Sequence, residues 1–470
     1  MVMMVRVLLL PSFKRSKLLW GEEIQAITMI NVSTFFDFLK YSLGAKVDMS
    51  KVVAGMNWQR LYGFASKQAL LGLCFDGIER LGKEYPEEMK RNPIDRNLLM
   101  SWMGAAQQIR RQNMKVNGVA GKLYSMLRKD GLRCCILKGQ GNALMYPNPY
   151  SRNPGDIDVW IDASRERIME YAQKKFELED DIRLQHIETS LDGVPVELHF
   201  FPGIMNNPVY NARLQKWFKR NADLQCSNVV SLPDCIGEIA IPTAAFNVVY
   251  QLTHLYHHFF DEGIGMRQIV DYYFVINSFA LEKVFLEKNP SMKTFSKTHP
   301  SSLTLKGGST SSPSPSSSEG GDVKRSSCRS DIKVGGASEP SPEFLTAGVT
   351  NEKGDYGVDV EKVLKYLGLW KFAGAVMYVL HEVLGLSEEK MIAPMDEKRG
   401  KLLLAEILNG SNFGRHFTKY GHFTQQGMAK KYFLKIWRNM HFVRYYPAEA
   451  LSEPIFRTWH FFWRIHNKRS

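Results

Sequence analysis

The strongest constraint on this chain is a short segment with two aspartates. Residues 155–161 read Gly-Asp-Ile-Asp-Val-Trp-Ile, so apolar residues alternate with Asp156 and Asp158. Alternate residues of a strand project from one face, and the pattern therefore predicts a β-strand with both carboxylates on the same side. Two buried, ionised carboxylates repel each other and lose hydration. A divalent cation compensates for both effects, and carboxylate oxygens favour Mg²⁺ or Mn²⁺ over Zn²⁺. A surface strand that ends in an acidic pair is the competing interpretation.

A glycine-containing turn precedes this strand. Residues 132–137 (Leu-Arg-Cys-Cys-Ile-Leu) predict a short strand that runs directly into Lys138-Gly139-Gln140-Gly141, and residues 142–146 then predict a helix. A turn of this kind lets backbone N–H groups approach a phosphate. Lys138 adds a positive charge at the same place. The segment therefore predicts a phosphate-binding turn.

A third carboxylate lies on a further predicted strand. Residues 194–200 alternate, so that three apolar side chains share one face and Glu197 and His199 share the other. His199 fits either a phosphate contact or a structural hydrogen bond. Three acids on neighbouring strands, together with a glycine-rich turn, are typical of a two-metal site for phosphoryl or nucleotidyl transfer.

At these residues the chain resembles the nucleotidyltransferase superfamily that includes DNA polymerase β. It is more closely similar to an uncharacterised bacterial nucleotidyltransferase-like family. The specific likeness covers residues 133–200, and a looser likeness extends over the helices on both sides. The residues that carry it are Leu137-Lys138-Gly139, Tyr146-Pro147, Arg152, Gly155-Asp156-Ile157-Asp158, Glu197-Leu198-His199 and, in the looser part, 263–268 with Asp271.

The resemblance implies a metal-dependent nucleotidyltransferase that uses Mg²⁺ or Mn²⁺ and an NTP substrate. The acceptor is an unidentified nucleic acid, protein or small metabolite. By this resemblance Asp156, Asp158 and Glu197 are the catalytic and metal-binding residues. The implied nucleotide-binding residues are Lys138, Gly139, Gln140, Gly141 and Arg152, and the accessory residues are His199, Arg267 and Asp271. An Arg–Asp salt bridge one helical turn apart is the competing interpretation of the last two.

Two features depart from the superfamily pattern. The phosphate turn usually contains Gly-Ser or Gly-Gly, whereas Gln140 follows Gly139 here. The gap between the turn and the two aspartates is also longer, with room for a loop at residues 146–149. We expect Lys138 and Arg152 to replace the missing serine contact to the triphosphate.

The periodicity of the sequence predicts an α+β fold, in which a small mixed β-sheet core is wrapped by N- and C-terminal helical regions. A stretch rich in Ser, Pro and Gly has too few apolar residues to pack and is predicted to be disordered. The predicted regions are a poorly packed extension (1–28), a helical region (29–130), the nucleotidyltransferase core (131–235), a second helical region (236–290), the disordered insert (291–357) and a C-terminal helical region (358–470).

Cysteine usage and hydropathy indicate a cytoplasmic protein without a transmembrane segment. The six cysteines show no metal-binding spacing, which favours reduced thiols. The longest uncharged run, residues 239–260, contains Pro242 and three histidines and therefore predicts a buried helix. Of these histidines, His254, His257 and His258 have the spacing of ligands on one helical face, but packing is the favoured interpretation.

The net charge of +13 is concentrated at the C-terminus. Residues 429–470 contain nine Lys or Arg, two acids and eleven aromatic residues. This mixture suits contact with nucleic acid or a membrane surface. The favoured alternative is a helical pair whose tryptophans, Trp437, Trp459 and Trp463, pack inward while the charges stay in solvent.

Two other functions compete with nucleotidyl transfer. One is a glycosyltransferase, since sugar-nucleotide enzymes also use a DxD motif with Mn²⁺. That fold normally places alternating strands ahead of the motif, whereas the preceding hundred residues are predicted to be helical. The other is a non-catalytic protein that binds a nucleotide or a partner, as in a toxin–antitoxin pair. The three acids argue against it, and the altered phosphate turn argues for it.

Overall fold

A four-stranded mixed sheet forms the centre of the molecule, with helices packed around it. The computed structural model describes residues 33–178, 183–288, 359–410 and 428–467. The predicted α+β class with a small mixed sheet flanked by helices is confirmed. The predicted extension at 1–28 and the predicted insert at 291–357 lie outside the described residues. The boundaries of the predicted regions stay a prediction.

The strands β1–β6 are Cys134–Leu137, Ile157–Ile161, His186–Leu191, Val194–His199, Val229–Ser231 and Glu238–Ala240. The helices α1–α11 are 33–42, Ser50–Ala54, Trp58–Lys67, Leu71–Glu84, Pro86–Arg91, Arg96–Lys129, Gly139–Ala143, Arg165–Lys175, Pro208–Ser227, Ala244–Asp261 and Met266–Lys288. The helices α12–α16 are Val360–Tyr366, Trp370–Leu384, Glu397–Gly410, Met428–Met440 and Pro447–Asn467.

The main sheet has the strand order β1-β2-β4-β3. Strand β2 pairs antiparallel with β1 and parallel with β4, and this parallel register places Asp158 opposite Glu197. Strands β3 and β4 form an antiparallel hairpin. Its turn contains Asp192 at φ +51° and Gly193 at φ +71°, as a tight two-residue hairpin turn requires. The sheet register therefore brings the two acid-bearing strands side by side.

The two faces of the sheet differ in chemistry. One face is apolar and packs against α6 and α8, with Ile136, Val159 and Leu198 among its buried residues. The other face turns towards the large helical core and carries the charged residues as well as Trp160. Cys134 and Cys135 lie in different cores, as strand alternation predicts. Charge is thus confined to one side of the sheet.

Helix α6 fixes the loop that leads into β2, and α10 follows the sheet as a buried helix. Asp95 caps α6 and accepts hydrogen bonds from the first backbone N–H groups of the helix. Farther along α6, the Asn113 side chain donates to the carbonyls of Tyr150 (2.8 Å) and Arg152 (2.7 Å), which fixes the loop before β2. The predicted buried helix is confirmed for α10, although the first residues of that run form β6.

The C-terminal helices pack against α10 and the loop after β4. Asp261, at the end of α10, pairs with Lys435 of α15 (2.9 Å) and with Arg457 of α16 (2.6 Å). Trp437 and Trp459 are 43% and 48% exposed, so the prediction that both pack inward is wrong. Among the described residues, no helix is both long enough and apolar enough to cross a membrane.

Candidate active site

Three carboxylates, Asp156 just before β2, Asp158 within β2 and Glu197 in β4, form the acid cluster. Asp156 is exposed just before β2, and Asp158 is buried within it. The Nε2–H group of His199 donates to both Asp158 Oδ1 (3.0 Å) and Glu197 Oε2 (3.1 Å). Because one nitrogen serves both carboxylates, Asp158 and Glu197 lie on the same side of the sheet.

The turn after β1 brings Lys138 to the acid cluster. Leu137 pairs with Asp158 across the sheet, so the next residue emerges beside that carboxylate. The Nζ atom of Lys138 lies 2.9 Å from Asp158 Oδ1 and 3.3 Å from His254 Nε2. Lys138 has φ +50° and ψ −127°, and Gly139 has φ +36°. A lysine in this conformation is strained, and such strain is concentrated at functional sites.

The rest of the predicted phosphate turn faces away from the cleft. The buried Gln140 side chain donates to Asn117 Oδ1 on α6. Gly141 packs against Ile241, where an added Cβ atom would lie 2.9 Å from Ile241 Cγ2. The structure therefore brings Lys138 and Gly139 to the cleft but does not bring the Gln140 side chain there.

A second charged cluster, formed by Arg152 and Asp271, lies beside the first. Arg152 donates from Nε and Nη2 to the two oxygens of Asp271, each at 2.8 Å, and Tyr146 Oη donates to Oδ1 at 2.6 Å. Arg267 donates to the carbonyl of Asn153 at 3.2 Å. The salt bridge of Asp271 is therefore made across the fold to Arg152, and the Arg152–Asp271 pair is buried.

The charged neighbours of the two aspartates shift their pKa values in opposite directions. Repulsion from Asp158, followed by partial loss of hydration in the cleft, raises the pKa of Asp156 to about 6 although the residue is exposed. Burial also acts to raise the pKa of Asp158, but Lys138 and His199 outweigh burial and hold it well below its usual value. Asp156 is therefore the member of the acid cluster whose charge the protein compensates least.

The two histidines of the hairpin are shifted in opposite directions as well. Burial lowers the pKa of His199, but its hydrogen bonds to Asp158 and Glu197 prevail and raise it to about 9. Burial and the neighbouring His199 lower the pKa of His186 to about 4. At neutral pH, His199 is thus a cation and His186 is neutral.

The acid cluster and the Arg152–Asp271 pair open into one cleft of about 750 Å³. Its opposite wall comes from the end of α10 and from α15 and α16. Residues on this wall that were not assigned a functional role from the sequence are His254, His257, His258, Asp261, Lys435, Arg438, Arg457 and His460. The basic and aromatic composition of residues 429–470 was the sequence signal for Lys435, Arg438, Arg457 and His460. The residues that face them across the cleft are remote in sequence, so their position could not be predicted.

The potential metal ligands of the site include nitrogen as well as oxygen. Among the described residues, three potential ligands lie close together, namely His186, Glu197 and His199. Each offers one ligand atom, and these atoms all lie within 4.8 Å of one another. His186 was not singled out from the sequence, although residues 186–189 alternate as a strand does. The histidines of α10 do not belong to this group.

Comparison with known proteins gives the chain a family. Residues 54–287 match the model of an uncharacterised nucleotidyltransferase family. Through this segment, the chain belongs to that family. Searches of the curated proteins and of the solved structures found no match. The matched segment contains the whole main sheet and every site residue predicted from the sequence, whereas α15 and α16 lie outside it. The match confirms the resemblance and supports nucleotidyl transfer over the glycosyltransferase alternative.

Proposed function

We propose that the protein transfers a nucleoside monophosphate from an NTP to a hydroxyl acceptor and releases pyrophosphate. The observation that supports this most strongly is the register of β2 and β4, which sets Asp158 beside Glu197 at the floor of the cleft. Lys138 and Gly139 line the same cleft, as does Asp156. In the family to which the chain belongs, such a cleft is the expected position of an NTP.

The acid cluster fits divalent cations by its chemistry. Its carboxylates provide the oxygen ligands that Mg²⁺ and Mn²⁺ prefer, and the raised pKa of Asp156 shows negative charge in excess of the nearby positive charge. We propose that Asp156, Asp158 and Glu197 hold the ions. Bound cations would neutralise the α-phosphate and lower the pKa of the acceptor hydroxyl.

Lys138 is proposed to bind the triphosphate. Its ammonium group is held by Asp158 and lies beside His254, and its side chain is 17% exposed towards the cleft. With Asp158 holding a cation, the Lys138 ammonium would be free to pair with phosphate oxygens. Arg152 is proposed to form part of the cleft wall. Its two hydrogen bonds to the Asp271 carboxylate hold its guanidinium there.

Glu197 is the carboxylate best placed to orient the acceptor. Burial raises its pKa, but the hydrogen bond from His199 prevails, and the pKa lies below its usual value. Glu197 is therefore ionised at neutral pH and can accept a hydrogen bond from a hydroxyl. The new P–O bond then forms as the bond to pyrophosphate breaks, and the hydroxyl proton passes to solvent.

Labelled nucleotides test the reaction. The protein is incubated with cell extract, Mg²⁺ or Mn²⁺, and each NTP carrying the label on either the α- or the γ-phosphate. We expect the α-label to enter an acceptor and the γ-label to appear as pyrophosphate. Asp156→Asn should abolish transfer, whereas Asp192→Asn, which changes an exposed carboxylate on the hairpin turn, should not. Transfer of the γ-label would indicate a phosphotransferase instead, and no transfer with any NTP would contradict the proposal.

A further inference from the structure

The β3–β4 hairpin brings two histidines and a glutamate together on the cleft side of the sheet. His186 and His199 are directly opposite each other in the antiparallel register. Glu197 lies two residues before His199 and therefore projects from the same face. The tight turn at residues 192–193 fixes this register, so the grouping follows from the backbone of a single hairpin.

The three side chains have the separations of ligands around one ion. Glu197 Oε2 lies 3.3 Å from His186 Nδ1 and 3.1 Å from His199 Nε2. The two imidazole rings are tilted, with their centroids 5.0 Å apart. Asp158 Oδ1 lies 3.0 Å from His199 Nε2 but belongs to the acid cluster, where Lys138 holds it.

His186 is the observation that points to a ligand. Its exposure is only 9%, yet neither ring nitrogen makes a hydrogen bond. Nδ1 faces Glu197, and Nε2 lies 3.5 Å from Glu188 Oε1, without the geometry of a hydrogen bond in either case. A buried imidazole without hydrogen bonds is costly, and coordination of an ion satisfies it.

We infer that His186, Glu197 and His199 form a second cation site, which takes a first-row transition-metal ion such as Zn²⁺. Two imidazole nitrogens and a carboxylate oxygen suit such an ion, whereas Mg²⁺ requires oxygen ligands. The ion would displace to solvent the proton that His199 Nε2 shares with Asp158 and Glu197 in its absence. The site shares Glu197 with the acid cluster but differs from it in ligand chemistry. The inference goes beyond the proposed function, because ion binding at the histidines does not require that any NTP be turned over.

Calorimetric titration of the metal-free full-length protein tests this inference. We expect Zn²⁺ to bind at least about ten-fold more tightly than Mg²⁺. His186→Asn should weaken Zn²⁺ binding at least about ten-fold and leave Mg²⁺ binding nearly unchanged. The matched control is His258→Asn, which changes another histidine of the same cleft and should leave Zn²⁺ binding unchanged. An unchanged Zn²⁺ affinity in His186→Asn, or an equal loss in His258→Asn, would overturn the inference.

Two further readouts keep the test decisive. Glu197→Gln should weaken both Zn²⁺ and Mg²⁺, because the carboxylate is shared. Bound Co²⁺ should give a visible spectrum without a thiolate charge-transfer band, and His186→Asn should lose that spectrum. A thiolate band would place the ion on cysteine and overturn the assignment. Zn²⁺ binding without NMP transfer would defeat only the proposed function, and transfer without Zn²⁺ binding would defeat only this inference.

Discussion

The acid cluster and the Arg152–Asp271 pair lie in the same cleft but differ in how far the protein compensates their negative charge. Asp271 receives two hydrogen bonds from Arg152 and one from Tyr146, so the protein itself satisfies the charge. The acid cluster sets three carboxylates against one lysine and one protonated histidine. The pair is therefore part of the scaffold, whereas the cluster is arranged to receive positive charge from outside.

The largest expected effect tests the scaffold side of this comparison. Asp271→Asn leaves the buried Arg152 without its counter-ion and should lower the free energy of unfolding by about 3–5 kcal/mol. Urea denaturation measures it. Asp192→Asn is the control, because its partner Lys122 and Asp192 itself are both about half exposed, and the expected loss is at most about 1 kcal/mol. Equal losses of unfolding free energy in the two variants would show that the Arg152–Asp271 pair stabilises the fold no more than an exposed salt bridge does.

A buried carboxylate held by backbone groups should give an intermediate effect. Glu449 accepts hydrogen bonds from the backbone N–H groups of Asn206 (2.6 Å) and Asn207 (3.2 Å), but burial prevails and raises its pKa to about 7. The folded state therefore holds this proton more tightly than the unfolded state, whose value is 4.5. Stability is fully present below pH 4.5 and falls as the pH rises to about 7.

Glu449→Gln cannot ionise and should remove this fall, which is on the order of 3 kcal/mol. The measurement is the free energy of unfolding of both proteins between pH 4.5 and pH 7.5. The wild type should lose stability relative to the variant across that range. Parallel pH profiles would show that Glu449 ionises freely in the folded protein.

The smallest expected effect tests the acid cluster. The pKa of Asp156 is raised to about 6 from 3.8, so its contribution to stability is lost as the pH rises through this window. Because Asp156 is exposed, solvent screens the repulsion, and Asp156→Asn should stabilise the protein by at most about 1 kcal/mol at pH 7.5. Thermal melts should show no difference near pH 3.5. A marked loss of stability would give Asp156 a structural role.

Local pattern predicted which face each site residue occupies but not which residues meet. Strand alternation placed Asp156 with Asp158, and Glu197 with His199, on single faces, and all four residues line one cleft. The Arg152–Asp271 pair joins residues 119 positions apart, and no local period encodes such a contact. Helical spacing suggested a salt bridge within α11, between Arg267 and Asp271. It could not indicate Arg152, which comes from the loop before β2.

Solvent exposure was the least predictable property. The aromatic residues near the C-terminus were expected to pack inward, since burial of tryptophan is favourable. Trp437 and Trp459 nevertheless lie on the outer sides of α15 and α16, while Lys435 and Arg457 of the same helices reach the cleft through Asp261. The sides of α15 and α16 that face the cleft thus carry part-buried ion pairs to Asp261, while these two tryptophans face outward.

The cation dependence of NTP affinity tests the central claim most directly. The dissociation constant of a non-hydrolysable NTP analogue is measured with and without Mn²⁺ for the wild type, Asp156→Asn and Asp192→Asn. We expect Mn²⁺ to tighten binding at least about ten-fold, or about 1.4 kcal/mol, in the wild type and Asp192→Asn, and to have little effect in Asp156→Asn. Equal cation dependence in all three proteins would contradict the account, because the acid cluster would then not be the site where cation and nucleotide meet.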